Sequence, residues 1–349
     1  MAWALDRGVF LDDESSSEPG SAVGSTGSAV GRPILPSGLQ NLTLGGEWNH
    51  RLDHVALPSG LRTLKFGDCF NQSLSNATLP SGLRVLTFGG KFNRDLGNAT
   101  LPSGLQQLIF GCRFNKSLDN TTLPSGLHKL TFGTKFNKSL ARTTLPGGLR
   151  HLTFGGGSDF NQSLDNTALP SGLTDLHLGC GFNQSLDNAA LPVGLQKLTF
   201  GTKFNKSLAN TTLPSGLRHL TFDCSDFNHR LDNTTLPSGL QELTFGWLFD
   251  QSLDNATLPS GLRKLIFGAK FNKSLTNTTL PSGLHDLTFG EEFDQWLGNT
   301  TLPSGLKNLT VDEAFDLDNL VDVIFPAGCR VWQAHRGGDR VEVHTHVIE

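Results

Sequence analysis

From residue 35 onward apolar residues recur on a fixed beat, in the unit Leu-Pro-Ser-Gly-Leu-x-x-Leu-x-Phe-Gly-x-x-Phe-Asn-x-Ser-Leu-x-Asn-x-Thr. Its Leu-Pro step falls at Leu35, Leu57, Leu79, Leu101, Leu123, Leu145, Leu169, Leu191, Leu213, Leu236, Leu258, Leu280 and Leu302, thirteen copies in all. The period is 22 residues, lengthened to 24 between Leu145 and Leu169 and to 23 between Leu213 and Leu236. Such self-similarity marks a stacked array in which each unit buries its apolar face against its neighbours.

One unit, Leu57 to Thr78, shows the local logic. Pro58 fixes the backbone and lacks a donor, which places a turn ahead of a strand. Gly60 permits a close approach or a positive φ as the chain enters that strand. In Leu61-Arg62-Thr63-Leu64-Lys65-Phe66, the period-two alternation points Leu64 and Phe66 inward and Thr63 and Lys65 outward. Gly67 ends the strand, Phe70 and Leu74 anchor the return segment, and Asn71 and Asn76 can bond backbone in turns. The expected fold class is a mainly β repeat solenoid, a stack of about 14 coils with one parallel β-sheet.

Stacking aligns like residues. One aromatic row is expected from Trp48 and Phe70 through Phe315, and a second from Phe66 through Phe289, with Leu44, Leu178 and Val311 as substitutes. Offset aromatic contacts add roughly 0.5–1.5 kcal/mol per pair beyond area burial. An Asn row, Asn49 through Asn272, is expected to satisfy turn amides between coils, with Asp250 and Asp294 accepting the same bonds. These residues hold the scaffold together.

Residues 1–31 lack the beat: Asp12-Asp13-Glu14-Ser15-Ser16-Ser17-Glu18 is acidic, and 20–31 is Gly, Ser, Ala and Val apart from Thr26. Such a segment cannot bury enough apolar area to offset its ordering entropy, so a disordered segment is expected. The solenoid is placed at 32–333 and a capping strand or hairpin at 334–349. After Thr310 the unit decays, and Phe325-Pro326-Ala327-Gly328-Cys329-Arg330-Val331-Trp332 looks like an eroded fourteenth copy. Arg336-Gly337-Gly338-Asp339 then reads as the turn of a hairpin covering the open edge.

The net charge of −4 predicts no strong pull toward nucleic acid or an anionic membrane. No apolar run approaches the roughly 20 residues that span a bilayer. The first residues lack the basic start and long apolar stretch of a secretory signal, so an intracellular, cytoplasmic protein is expected. Cys69 and Cys112, like Cys180 and Cys224, sit two repeats apart, a separation of ~10 Å that exceeds disulfide reach. Reduced cysteines fit the same compartment.

The pattern Leu-Pro-x-x-Leu-x-x-Leu-x-Phe-Gly-x-x-Phe-Asn resembles the FNIP repeat, a relative of the leucine-rich repeat, over residues 34 to about 311. The resemblance implies a strand plus return segment lining a horseshoe. The family usually writes Asn-Ile/Gln-Pro-Ile where this chain has Asn-Gln-Ser-Leu or Asn-Lys-Ser-Leu, as at Asn71 and Asn115. Family members often carry an F-box and so capture substrates for ubiquitin ligation. No F-box-like helical segment is readable here, and that role is not carried over.

By the leucine-rich analogy, the concave face displays the two positions flanking the central Leu of each strand. The second of these is mostly Thr, whereas the first varies and escapes the stacking constraint. Partner-binding residues are therefore expected among Lys129, His151, Asp175, His177, Lys197, His219, Glu242 and Lys264. The bland alternative is a solvated polar sheet face. The lengthened loops Gly155–Phe160 and Phe222–Phe227 could form a binding rim, although loops tolerate insertion.

Nothing in the sequence resembles a nucleophile-base pair, a phosphate-binding glycine loop or a catalytic carboxylate pair. His344 and His346 share one expected strand face, but a metal site needs further ligands. Asn-x-Ser/Thr sequons, as at Asn71, Asn120 and Asn233, recur because the unit contains them, and would matter only in a secreted protein. The expected function is a non-enzymatic scaffold that binds another protein through the concave face or loop rim. No cofactor, metal, nucleic acid, membrane insertion or small-molecule substrate is expected. Two other readings are a structural spacer, ~65 Å of stacked strands, and an ice-binding Thr array, which Lys65, Ile109, His177 and Ile266 interrupt.

Overall fold

The computed structural model describes residues 2–5, 9–12, 35–223, 225–335 and 339–343. The chain divides into two compact units, residues 1–152 and 153–349. The first holds β1 (Ala2–Leu5), β2 (Val9–Asp12), β3 (Asn41–Leu44), β4 (Thr63–Lys65), β5 (Val85–Thr87), β6 (Gln107–Ile109) and β7 (Lys129–Phe132). The division falls inside β8 (His151–Phe154). The second unit holds β9 (Asp175–His177), β10 (Lys197–Phe200), β11 (His219–Phe222) and β12 (Glu242–Thr244). It continues with β13 (Lys264–Ile266), β14 (Asp286–Thr288), β15 (Asn308–Asp312), β16 (Arg330–Ala334) and β17 (Arg340–Val343). The 3₁₀ turns Leu52–His54 and Leu317–Leu320 are the only helical pieces among the described residues.

In the first unit β3 through β7 pair in parallel, each with the next, in a register that sets Leu42, Leu64, Leu86, Leu108 and Leu130 side by side. In the second, β9 through β16 do the same. Each unit is thus the repeat solenoid that the beat predicts, and β16 is the strand of the eroded copy. The Leu and Phe of every rung are buried, most with no exposure at all.

Each coil turns where the chemistry of its residues requires. In Pro-Ser-Gly-Leu the Leu amide donates to the Pro carbonyl, as Leu61 to Pro58 at 3.1 Å. The backbone there stays at negative φ, since Gly179 and Gly328 are the described glycines that adopt positive values. A Cβ on Gly60 would meet nothing closer than 3.6 Å. The glycine after the strand is the constrained one. A Cβ on Gly67, Gly89 or Gly111 would overlap the carbonyl of the equivalent glycine one coil earlier. The sterically required glycine is therefore the one that ends the strand, because coils meet there backbone to backbone.

The two expected aromatic rows merge into a double ladder in each unit. Within a coil the strand Phe and the return Phe lie face to face, as in Phe88–Phe92 and Phe267–Phe271 at 3.8 Å between centroids. Between coils like rings stack at wider spacing, 5.8 Å for Phe70–Phe92 and 6.0 Å for Phe249–Phe271. Trp48 begins the ladder by stacking on Phe70, and Phe315 closes it on Phe293.

The serine that stands where the family writes proline has its own use. Ser117 Oγ accepts the Asp119 amide at 3.1 Å, and Ser185 and Ser252 do the same for Asp187 and Asp254. A side-chain turn thus bends the return segment where proline would bend it covalently. Both ends of the array carry antiparallel strands. β17 pairs with β16, and β1 pairs with both β2 and β3. β1 and β2 fall in the stretch expected to be disordered. Ala2-Trp3-Ala4-Leu5 and Val9-Phe10-Leu11 have β-forming character and cover the open edge of β3. Residues 1, 6–8 and 13–31, the rest of that stretch, lie outside the described residues.

Candidate interaction surface

Each strand from β3 to β15 buries its central Leu and leaves the two flanking side chains exposed or half-buried, except that Thr199 and Thr310 are buried. In the first unit the leading column is Asn41, Thr63, Val85, Gln107 and Lys129, adjacent in register, followed by the exposed His151. In the second unit register aligns Asp175, Lys197, His219, Glu242, Lys264, Asp286 and Asn308. The expected site residues thus lie on the sheet face of their own units: Lys129 and His151 in the first, the other six in the second.

The leading column of the second unit mixes signs at a step of ~4.8 Å: Asp175 lies beside Lys197, Glu242 beside His219 and Lys264, and Lys264 beside Asp286. His219 Nδ1 lies 3.0 Å from Glu242 Oε2 across β11 and β12. Thr174 donates its hydroxyl to Asp175 at 2.6 Å, and Asn308 Nδ2 donates to Asp286 at 2.7 Å. A reading by repeat number records each charge. Only the fixed register shows which of them are neighbours.

His177 stands in the other column, where Thr199 is its neighbour. Burial lowers the pKa of its imidazole, Asp223 opposes that shift, and Lys197 adds to it. The remaining members of the column are mainly Thr, of which Thr199 and Thr310 are buried.

The lengthened loops are packed into the stack. Ser158 and Ser225 are buried, and their hydroxyls accept the amides of Phe160 and Phe227 at 3.1 and 3.3 Å. Among the described residues no three His, Cys, Asp or Glu side chains are grouped as a metal ion would need. No helix among them is long and apolar enough to cross a membrane. His344 and His346 lie outside the described residues.

Seven segments of the chain, 33–69, 70–113, 114–157, 136–181, 182–225, 227–270 and 271–314, match the FNIP Repeat family. The chain belongs to the FNIP repeat family. Among solved structures, CroV588, described as a novel circular leucine-rich-repeat protein, is 32% identical with a TM-score of 0.60. The alignment covers 87% of this chain and 50% of that one, so the FNIP array spans half the length of CroV588. An internalin, InlF, from Listeria monocytogenes is 16% identical with a TM-score of 0.49, over 82% of this chain and 84% of that one. No curated protein matches the chain.

Proposed function

We propose that this FNIP array is a non-enzymatic scaffold that docks another protein on its sheet face. The observation that supports the reading is the contrast between columns. The Leu columns and the Phe ladder repeat almost without change, while the leading sheet-face column changes from coil to coil through Asn, Thr, Val, Gln, Lys, His, Asp and Glu. Positions outside the stack are free to encode a partner, and arrays of this kind bind through extended area with a few anchors. Affinity capture with the full chain, beside a Lys129→Ala/Lys197→Ala/His219→Ala variant, tests the reading. Loss of a captured protein from the variant is the expected result, and an unchanged set of bound proteins overturns it.

A further inference from the structure

The net charge of −4 is the sum of unequal parts. Residues 35–152 carry 13 Lys and Arg against 5 Asp and Glu, a net +8, whereas 153–349 carry 13 against 22, a net −9. In the first unit the cations are in register. Lys91, Arg113 and Lys135 precede the buried return Phe in three successive coils, and Arg94, Lys116 and Lys138 follow it by two positions. All six are exposed.

The backbone beneath them is locked from coil to coil. Lys91, Arg113 and Lys135 donate their amides to Asp68, Gly90 and Cys112 at 2.8, 2.9 and 2.7 Å. Like charges are thereby held in columns at a step of ~4.8 Å, where they repel one another.

The nearby carboxylates are otherwise engaged. Asp68 accepts the Gly90 amide, Asp95 the Gly97 amide and Asp119 the Thr143 hydroxyl. Lys91, Arg94, Arg113, Lys116 and Lys138 form no ion pair among the described residues. At the equivalent positions of the second unit, Lys270 pairs with Glu292 and Lys273 with Asp250, while Lys203 and Lys206 form no ion pair among the described residues. Beside the Arg94 and Lys116 column lies a polar recess of about 360 Å³, lined by Ser73, Ser75, Arg94, Asp95, Asn98 and Lys116. Its two cations, Arg94 and Lys116, outnumber its one carboxylate, Asp95, which leaves the recess with a net positive charge.

We infer that coils three to five of the first unit receive a short acidic segment of a partner protein, across Lys91 and Arg113 and the column Arg94/Lys116/Lys138. The inference rests on the reading of the array as a protein scaffold, and adds the chemistry of the partner and a second surface. A nucleic acid fits less well. The Phe side chains of these coils are buried in the ladder and leave no stacking platform.

Anisotropy titration of the full chain with a labelled Glu-rich decapeptide, and with an oligo-dT of similar charge, tests this. The peptide is expected to bind, and Arg113→Glu/Lys116→Glu to weaken it by more than about tenfold. Arg62→Glu/Arg84→Glu makes the same change in net charge ahead of the strands and is expected to leave affinity within about twofold. A Lys-rich decapeptide should bind the Arg113→Glu/Lys116→Glu variant better than it binds the wild type. Absence of peptide binding, equal loss in both double variants, or oligo-dT binding as tightly as the peptide overturns the inference. A captured protein lost from the Lys129/Lys197/His219 variant but kept by Arg113→Glu/Lys116→Glu overturns the inference and leaves the sheet-face reading standing. The converse pattern overturns the sheet face alone.

Discussion

Asn93 Oδ1 accepts the backbone amide of Asn115, one coil further on, at 3.0 Å. The same bond runs from Asn71 to Asn93 and from Asn115 to Asn137 in the first unit. In the second it passes through an acid, with Asn228 serving Asp250 and Asp250 serving Asn272, both at 2.9 Å. The side chain is therefore used as an acceptor, and the turn amide of each coil is satisfied by the coil before it. Asn93→Ala should orphan the Asn115 amide and cost ~1–3 kcal/mol, while Asn93→Asp should cost under ~1 kcal/mol. Urea unfolding of the two variants measures the difference, and equal losses would contradict the ladder's role.

Two glycines in one unit should respond oppositely to alanine. A Cβ on Gly111 would overlap the Gly89 carbonyl, whereas one on Gly60 finds ordinary contact distances at negative φ. Gly111→Ala forces neighbouring coils apart and should cost at least ~1–3 kcal/mol. Gly60→Ala should be neutral or stabilise by up to ~1 kcal/mol, because it restricts the unfolded chain. Melting temperatures of the two variants give the answer directly.

Much of this architecture could be read from spacing alone. Leu64 and Phe66 pointed inward by alternation, and the Asn row was assigned to turn amides because a short polar side chain at a fixed beat has that use. What could not be read were properties of register and close approach. Gly60 and Gly67 look alike in sequence, and only the stacking of backbones shows which tolerates a Cβ. Which charges neighbour one another from Asp175 to Asp286 depends on which strands pair. The cationic columns were within reach of a charge count taken separately over residues 35–152 and 153–349, which the chain-wide value of −4 averages away. Ala2–Leu5 was too short a run to stand out beside a low-complexity stretch.

Acid should weaken the second unit through His177. Burial places its folded-state pKa below the ordinary 6.5, so as pH falls the unfolded chain takes up the proton first. The sign follows from linkage: the contribution to stability is complete above the unfolded value and is lost as pH falls through the lower, folded one. His177→Thr installs the residue of the neighbouring Thr199 and removes this term. Chemical-denaturation midpoints between about pH 5 and 8 should fall less toward acid in the variant. An identical pH dependence in the two proteins would show that His177 is not the group responsible.

The lengthened loop at Phe222–Phe227 depends on one hydroxyl. In ordinary coils the amide of the return Phe donates to the glycine carbonyl three residues back, as Phe249 to Gly246 and Phe271 to Gly268, both at 3.4 Å. The inserted residue breaks that spacing, and the buried Ser225 Oγ accepts the Phe227 amide instead. Ser225→Ala should therefore leave a buried amide unpaired and cost ~1–3 kcal/mol. Deleting Cys224 together with Asp223→Gly restores the Phe-Gly-x-x-Phe spacing and returns the amide to a glycine carbonyl. In that shortened background Ser225→Ala should cost under ~0.5 kcal/mol. A double-mutant cycle by urea unfolding reads the two costs, and equal values in both backgrounds would mean that the hydroxyl does not stand in for the carbonyl.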